Sequence, residues 1–381
     1  MKTFLKNPFL RPTWAEIKLP NLTHNLKIIR KIIGQETKII AVIKADAYGH
    51  GAIPIGKKLE ELNIDYLAVA TLEEAIELRE NNIKKPILVF SFVYSKDLFY
   101  FFKYNLTPSI FSLETAKKLN DLASKYKKKI NIHIKVDTGM NRLGFRHEKA
   151  LEAIKKISSL NYLKIEGIYS HLSSSKIKND NFNFIQFERF KKILEQLEKF
   201  KINIPLRHLA NSGAIANYPE FKLNTVRIGE ILYGFSDFYF KKTNKRIPTK
   251  PLLSLKSKII FLKELKKGEP VSYDRTYLTK RKTKIATIPL GYADGYPRTL
   301  SNKGYALIKG QKAFIVGNIC MDLLMLDVSK IKEANLLDEV VFIGKNKDKE
   351  IKVKEIASLA QTIEDEIVSR IGKRVPRVYI D

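Results

Sequence analysis

The sequence predicts an α/β protein, with an N-terminal (β/α)8 TIM barrel followed by a mostly β C-terminal domain. Three observations carry this. At 381 residues the chain exceeds what one hydrophobic core usually organises, about 250–300 residues, so two domains are expected. The first half alternates short β-branched runs with longer amphipathic stretches, the pattern of parallel strands joined by crossover helices. Beyond a polar, proline-ended segment at 240–248, short strands separated by Gly and Pro replace that alternation. The expected division is 1–245 for the barrel and 246–381 for the β-domain, with residues 1–16 packing on the latter.

The elements follow in order. A first helix is expected with Asn21 as its cap, one apolar face of Leu22, Leu26, Ile29 and Ile33, and Gly34 as its stop. Eight candidate strands lie at 39–43, 66–70, 86–90, 106–110, 131–136, 165–169, 207–209 and 225–227. Eight β-α units in about 230 residues suit a TIM barrel, for which about 250 is typical. A doubly wound open sheet is the alternative, but no Gly-x-Gly-x-x-Gly turn follows the first strand. In the second domain, strands are expected at 257–262, 284–289, 313–316, 321–327 and 339–343, with a helix at 353–360.

Composition narrows the function classes. No apolar run is long enough to span a bilayer, and Met1-Lys2-Thr3-Phe4-Leu5-Lys6-Asn7-Pro8 lacks the apolar core of a signal peptide. A lone Cys320 excludes an internal disulfide framework and suits a reducing compartment, so a cytoplasmic location is expected. The net charge of +29 comes mostly from Lys set among Ile and Asn, as in Lys155-Lys156-Ile157 and Ile177-Lys178-Asn179. That reads as compositional bias. No zinc-finger, RNP or KH pattern accompanies it, so neither a nucleic-acid nor a membrane partner is expected.

Reactive residues of a TIM barrel lie at the C-terminal ends of its strands. Strand one ends in Lys44. Strand five runs into Asp137-Thr138-Gly139-Met140-Asn141-Arg142, strand six into His171, strand seven holds His208 with Ser212 beyond, and strand eight ends in Arg227-Ile228-Gly229. Each has a plainer reading: Lys44 as a solvated rim residue, Arg142 as a partner of Asp137, Ser212 as a helix cap. Their convergence on one rim shifts the balance. Barrels commonly hold a phosphate after strands seven and eight, where Ser212-Gly213 and Gly229 supply a hydroxyl and bare backbone. A strand-end lysine opposite a phosphate site suits a Schiff base with a phosphorylated aldehyde.

The segment Ala41-Val42-Ile43-Lys44-Ala45-Asp46-Ala47-Tyr48-Gly49-His50-Gly51 resembles the pyridoxal-phosphate attachment motif of the alanine racemases. The resemblance extends from Arg11-Pro12-Thr13-Trp14-Ala15-Glu16 through Lys135-Val136-Asp137-Thr138-Gly139-Met140-Asn141-Arg142-Leu143-Gly144, His208-Leu209-Ala210-Asn211-Ser212 and Gly268-Glu269-Pro270-Val271-Ser272-Tyr273. It continues through Gly291-Tyr292-Ala293-Asp294-Gly295 and Ile319-Cys320-Met321-Asp322 to Arg374-Val375-Pro376-Arg377. It thus covers both domains, in order.

The resemblance implies interconversion of L- and D-alanine, supplying D-alanine for peptidoglycan, in a homodimer with shared sites. Pyridoxal 5'-phosphate would be held covalently by Lys44. Tyr48, Asn211, Ser212 and Gly229 would surround the cofactor with His171, and Arg227 would face its pyridine nitrogen. Arg142 and the backbone of Met321 would hold the substrate carboxylate. Lys44 and Tyr273 would be the two catalytic bases, with His208, Lys135, Asp322 and Tyr292 in support. Tyr273 and Met321 would come from the partner chain. Tyrosine, with an ordinary pKa near 10, would need help from the His171–Arg227–His208 group. Some relatives carry a carbamylated lysine at the place of Lys135. The plainer readings of the second-domain residues are a hairpin aromatic for Tyr273, a turn cap for Asp322 and a small core residue for Cys320.

Three departures from the family pattern stand out. Asp365 replaces a tyrosine that reaches the phosphate, Glu230 replaces an apolar residue beside the phosphate-binding glycine, and Leu323 replaces a polar residue after Met-Asp. A carboxylate beside a phosphate is unfavourable without a cation, so Glu230 and Asp365 are expected to turn away or pair with Lys or Arg. The competing functions are a racemase for serine or a broader range of amino acids, a non-catalytic cofactor carrier, and a basic polynucleotide-binding protein. A decarboxylase of the same architecture would set a carboxylate where this chain has Arg227.

Overall fold

A computed structural model describes residues 10–381. The amino-terminal octapeptide read for a signal lies outside the described residues. The first helix spans Leu19–Ile33 and buries Leu22, Leu26, Ile29 and Ile33, and Gly34 stops it at φ 86°. Asn21 does not cap it. Pro20, whose fixed φ suits a first turn, lets the helix start at Leu19, and Asn21 instead donates to the Pro251 carbonyl at 2.7 Å.

Eight parallel strands follow: Lys38–Val42, Tyr66–Val69, Ile87–Val89, Thr107–Ile110, Ile130–Asp137, Leu163–Tyr169, Leu206–His208 and Thr225–Ile228. They pair in chain order, and the eighth closes on the first through Thr225↔Lys38 and Ile228↔Ala41. Each expected strand is present within two residues. Their apolar residues are buried on both faces, as a barrel wrapped in helices requires.

A ten-stranded sheet forms the second layer. Thr13–Lys18 belongs to it, antiparallel to Leu253–Lys258 and parallel to Arg377–Ile380. The expected strand 257–262 is in fact two. The chain changes partner at Ile259-Ile260, so Leu253–Lys258 pairs with Glu339–Asn346 while Phe261–Leu265 pairs with Thr283–Ile288. The expected strand 321–327 starts only at Leu324, because residues 320–323 turn outward. Tyr305–Ile308, Lys349–Ile351, Arg377–Ile380 and the helix Glu364–Ser369 were not foreseen, whereas the helix Val353–Ala360 was.

The sheet domain presses on the turn that follows the first barrel strand. A Cβ at Gly49 would lie 2.1 Å from the Val368 carbonyl oxygen, so only glycine admits this contact. Arg377 donates to the Gly49 carbonyl at 3.1 Å, and Tyr379 to that of His50 at 3.2 Å. Arg11 grips Asp294 with two hydrogen bonds of 2.5 and 2.6 Å.

His50 is wholly buried, stacked 4.7 Å from the Tyr233 ring. Burial, with Arg377 adding to it, lowers its pKa from 6.5 to about 4. The unfolded chain therefore binds the proton more readily, so the stability contributed by neutral His50 is present above about pH 6.5 and is lost as pH falls towards 4. At pH 5 the loss should be about 2 kcal/mol. Urea unfolding of the parent and of His50→Gln at pH 7.5 and pH 5 checks this: the parent should lose more stability on acidification, by about that amount.

Candidate active site

The C-terminal ends of the barrel strands open into a cavity of about 410 Å³. At its floor lies the Arg227 guanidinium, 3% exposed. It donates to the carbonyls of His208 (3.0 Å), Ser170 (2.8 Å) and Leu209 (3.1 Å), to His208 Nδ1 (3.0 Å) and to His171 Nδ1 (3.1 Å). Burial lowers its pKa to about 10, still far above neutral. An arginine can only donate, so both imidazoles accept at Nδ1 and carry their hydrogen on Nε2. His208 Nε2 then donates to His133 Nδ1 at 3.0 Å, and His133 turns its Nε2 towards Glu166, 3.8 Å away. Loss of solvent, then the Arg227 charge, holds His171 and His208 well below the ordinary histidine pKa. His171 therefore offers the cavity a neutral N–H donor.

Lys44 lies two residues past the end of its strand, rather than at the end. It opens a turn in which Ala45, Asp46, Ala47 and Tyr48 all take left-handed φ near 52–53°. Such a conformation costs roughly 1–2 kcal/mol per non-glycine residue. Glu74 offsets part of this by accepting from Ala45 N (2.6 Å) and Ala70 N (2.8 Å), and Asp46 accepts from Ala52 N (2.7 Å). The Lys44 amine projects into the cavity, 5.9 Å from the centre of the Tyr48 ring.

At one end of the cavity, Ser212 Oγ accepts from Gly229 N (3.2 Å) and Ile231 N (3.3 Å). The helix cap is Asn211, whose side chain accepts from Ala214 N at 3.1 Å, and not Ser212. A Cβ at Gly229 would lie 2.8 Å from the Tyr48 hydroxyl, so bare backbone keeps this end open. Glu230 and Asp365 do reach it, and both pair with Lys176, at 2.5 and 3.9 Å. A hydroxyl pair, open glycine backbone and a lysine suit a phosphate.

Arg142 stands at the mouth. Asp137, its suspected partner, accepts instead from Gly139 N and Asn141 N, and among the described residues no carboxylate lies within ion-pair distance of Arg142. Beneath it, Lys135 is buried with its ammonium 4.7 Å from the Tyr169 ring centre. Burial, then Arg227 and Arg142, holds the Lys135 pKa well below the ordinary lysine value. Burial pushes Tyr169 up to about 12.

Lys44, Tyr48, Lys135, Arg142, His171, Asn211, Ser212, Arg227 and Gly229 thus line one cavity, with His208 behind it. Tyr273, Tyr292, Met321 and Asp322 do not join it within one chain. They cluster in the sheet domain instead. Tyr292 N donates to the Cys320 carbonyl and Ala293 N to that of Met321, while Asn318 donates to that of Tyr273. Tyr273 is 68% and Met321 52% exposed. Asp322 binds Arg374 at 2.6 Å, and Cys320 is half-buried in this loop rather than in a core. Ser175, Lys176 and the His133–Glu166 pair were missed in the sequence. The predicted need of Glu230 and Asp365 for a cation was the one signal pointing to Lys176.

Residues 17–237 match the family model of the alanine racemase N-terminal domain, and residues 252–379 that of the C-terminal domain. The alanine racemase of Halothermothrix orenii is 46% identical over 369 residues, covering 97% of each chain. The solved alanine racemase of Clostridium difficile 630 superimposes with a TM-score of 0.92 at 38% identity, covering 98% of this chain and 96% of its own. The same enzyme solved in complex with cycloserine gives 0.89 at 37% identity, over the same shares. With both domains matched in order and the cavity residues assembled at the barrel mouth, the chain belongs to the alanine racemase family.

Proposed function

We propose that the protein interconverts L- and D-alanine with pyridoxal 5'-phosphate as cofactor, using Lys44 and the Tyr273 of a second copy as its two bases. The observation that carries this is the single cavity in which an amine, a phosphate-fitting end and an unpaired arginine converge. The cofactor, when bound, supplies an aldehyde that takes up an amino group and a ring that makes the Cα–H of an amino acid acidic. Lys44 would hold that aldehyde, and its amine would move a proton at one face of the substrate. Tyr48, Ser212 and the Gly229 backbone hold the phosphate. Arg227 faces the pyridine nitrogen. Its terminal NH2 groups are held by carbonyls and imidazoles, and an arginine that stays protonated would leave that nitrogen without a proton. Arg227 would thereby limit how far the ring withdraws electrons, and with it side reactions.

Arg142 receives the substrate carboxylate, with the Met321 backbone of the second copy. The cavity is near the small end of ligand pockets, about 300–1,000 Å³, and must house the cofactor too. Racemisation needs a proton carrier on the face opposite Lys44. The exposed Tyr273, Tyr292 and Met321 cluster fits this role in a head-to-tail homodimer. The His171 Nε2–H would then steady the Tyr273 oxygen. No helix among the described residues is long and apolar enough to cross a membrane, and the lone Cys320 suits a cytoplasmic setting.

Borohydride reduction of the protein with its cofactor should fix the added mass on the peptide containing Lys44, and Lys44→Ala should abolish racemisation in both directions. Label on another peptide would sink the assignment. Mixing inactive Lys44→Ala chains with inactive Tyr273→Phe chains should restore part of the activity, because one mixed site then has both bases. No recovery, despite measured subunit exchange, would mean that each site is built from one chain. Tyr273→Ala should keep its cofactor but lose about 10²–10⁴-fold or more in rate. In deuterated water it should still exchange the Cα–H of D-alanine through Lys44, while L-alanine exchange falls further. Equal loss for both enantiomers would refute the assignment of one base to each face.

A further inference from the structure

Three separate parts of the fold bring charge to the phosphate-fitting end of the cavity. Lys176 follows the sixth barrel strand, Glu230 opens the turn after the eighth, and Asp365 sits on the sheet-domain helix Glu364–Ser369. Lys176 Nζ lies 2.5 Å from Glu230 and 3.9 Å from Asp365, and all three line the cavity with Tyr48, Ser212 and Gly229. One ammonium between two carboxylates leaves a local surplus of negative charge, which a phosphate dianion would meet at close range. The surplus is relieved by protonation. Burial, then Asp365, pushes Glu230 up to about 7, and burial raises Asp365 as well. The groups facing Glu230 are Lys176 from the sixth-strand loop, Asp365 and Glu364 from the sheet-domain helix, and Tyr48 from the Lys44 turn. Burial and the two carboxylates raise the Tyr48 pKa, so its hydroxyl stays a donor.

We propose that Lys176 is the cation that recognises the cofactor phosphate, held in place by Glu230 and Asp365 until the phosphate takes it over. Asp365 is then a positioning residue for Lys176. This rests on the cofactor reading of the cavity. Because Lys176 acts on the phosphate and Lys44 on the aldehyde, the two roles separate in binding. Once Glu230 ionises, it competes for the ammonium, so phosphate preference is full below about pH 7 and falls above it.

The test is the affinity of the cofactor-free protein for pyridoxal 5'-phosphate and for pyridoxal, each followed by the absorbance of the lysine-bound chromophore. Their ratio isolates the phosphate. Lys176→Met should lower that ratio about 10- to 100-fold, the worth of one charge-assisted phosphate contact, with pyridoxal affinity little changed. Lys176→Arg should restore most of it. Between about pH 6.5 and 8.5, where free phosphate monoesters are largely dianions, the ratio should fall in the parent and stay flat in Glu230→Gln. An unchanged ratio in Lys176→Met, or equal losses for both ligands, would overturn the proposal while leaving the cofactor reading intact. A parent protein that forms no chromophore with either ligand would overturn both.

Discussion

A buried guanidinium, with no carboxylate among the described residues paired to it, sets the terms for the whole cavity. Removing a charge from water is costly unless every donor finds a partner. Arg227 comes close to that condition: its two terminal NH2 groups donate to three carbonyls and two imidazoles. The solution has consequences. His208 and His171 must accept at Nδ1, which fixes their tautomers. Burial, then the nearby charge, keeps both neutral and keeps Lys135 from holding its proton firmly. The order extends through His208 to His133 and on to Glu166, whose carboxylate accepts from the Tyr66 hydroxyl at 3.0 Å. A line of polar groups therefore runs through the barrel from the cavity floor, hydrogen-bonded as far as His133 and continued to Glu166 by a 3.8 Å contact. A carboxylate in place of Arg227 would reverse each of these orientations.

The second constraint is backbone strain. Four successive left-handed residues after Lys44 are held only because the surroundings over-determine them. Glu74 and Asp46 supply hydrogen bonds from the barrel, and Val368, Arg377 and Tyr379 supply contacts from the sheet domain. The sheet domain thus does two things. It clamps the Lys44 turn of its own chain through the Glu364–Ser369 helix, and it presents the Tyr273 and Met321 loops outward. Both follow from one docking arrangement, in which Thr13–Lys18 and Arg377–Ile380 tie the chain's two ends into that sheet.

What could be read in the sequence follows the range of the interactions. Barrel strands announce themselves through β-branched runs buried on both faces, so all eight were legible, and Lys44, Arg142 and Arg227 could be placed from the strand ends alone. Asn21 misled because a capping residue and a first-turn proline compete one position apart, and the proline won. The strand at 257–262 misled because its apolar pattern continues across Ile259-Ile260, where only the partner changes. His133 and His208 are 75 positions apart in the chain, and no local pattern can announce their hydrogen bond. Lys176 was hidden for the same reason among many surface lysines. Only the two misplaced-looking carboxylates pointed to it.

The net charge of +29 need not be enlisted to explain ligand capture. The cavity is lined by five basic side chains, Lys44, Lys135, Arg142, Lys176 and Arg227, against Glu230 and Asp365. Lys135 is held towards neutrality and Lys176 is engaged by the two carboxylates, so the charge on offer is local and directed: Arg142 at the mouth, Arg227 on the floor, and the Lys176 end when a phosphate enters. A ligand with a phosphate at one end and a carboxylate at the other finds a partner for each without long-range help. The surplus lysines of exposed helices, such as Lys155 and Lys156, lie outside this cavity, and at physiological salt charges beyond about 8 Å are largely screened. Specificity in this site is therefore a matter of where the basic side chains are anchored, at the C-terminal ends of four different strands, rather than of how many the chain carries.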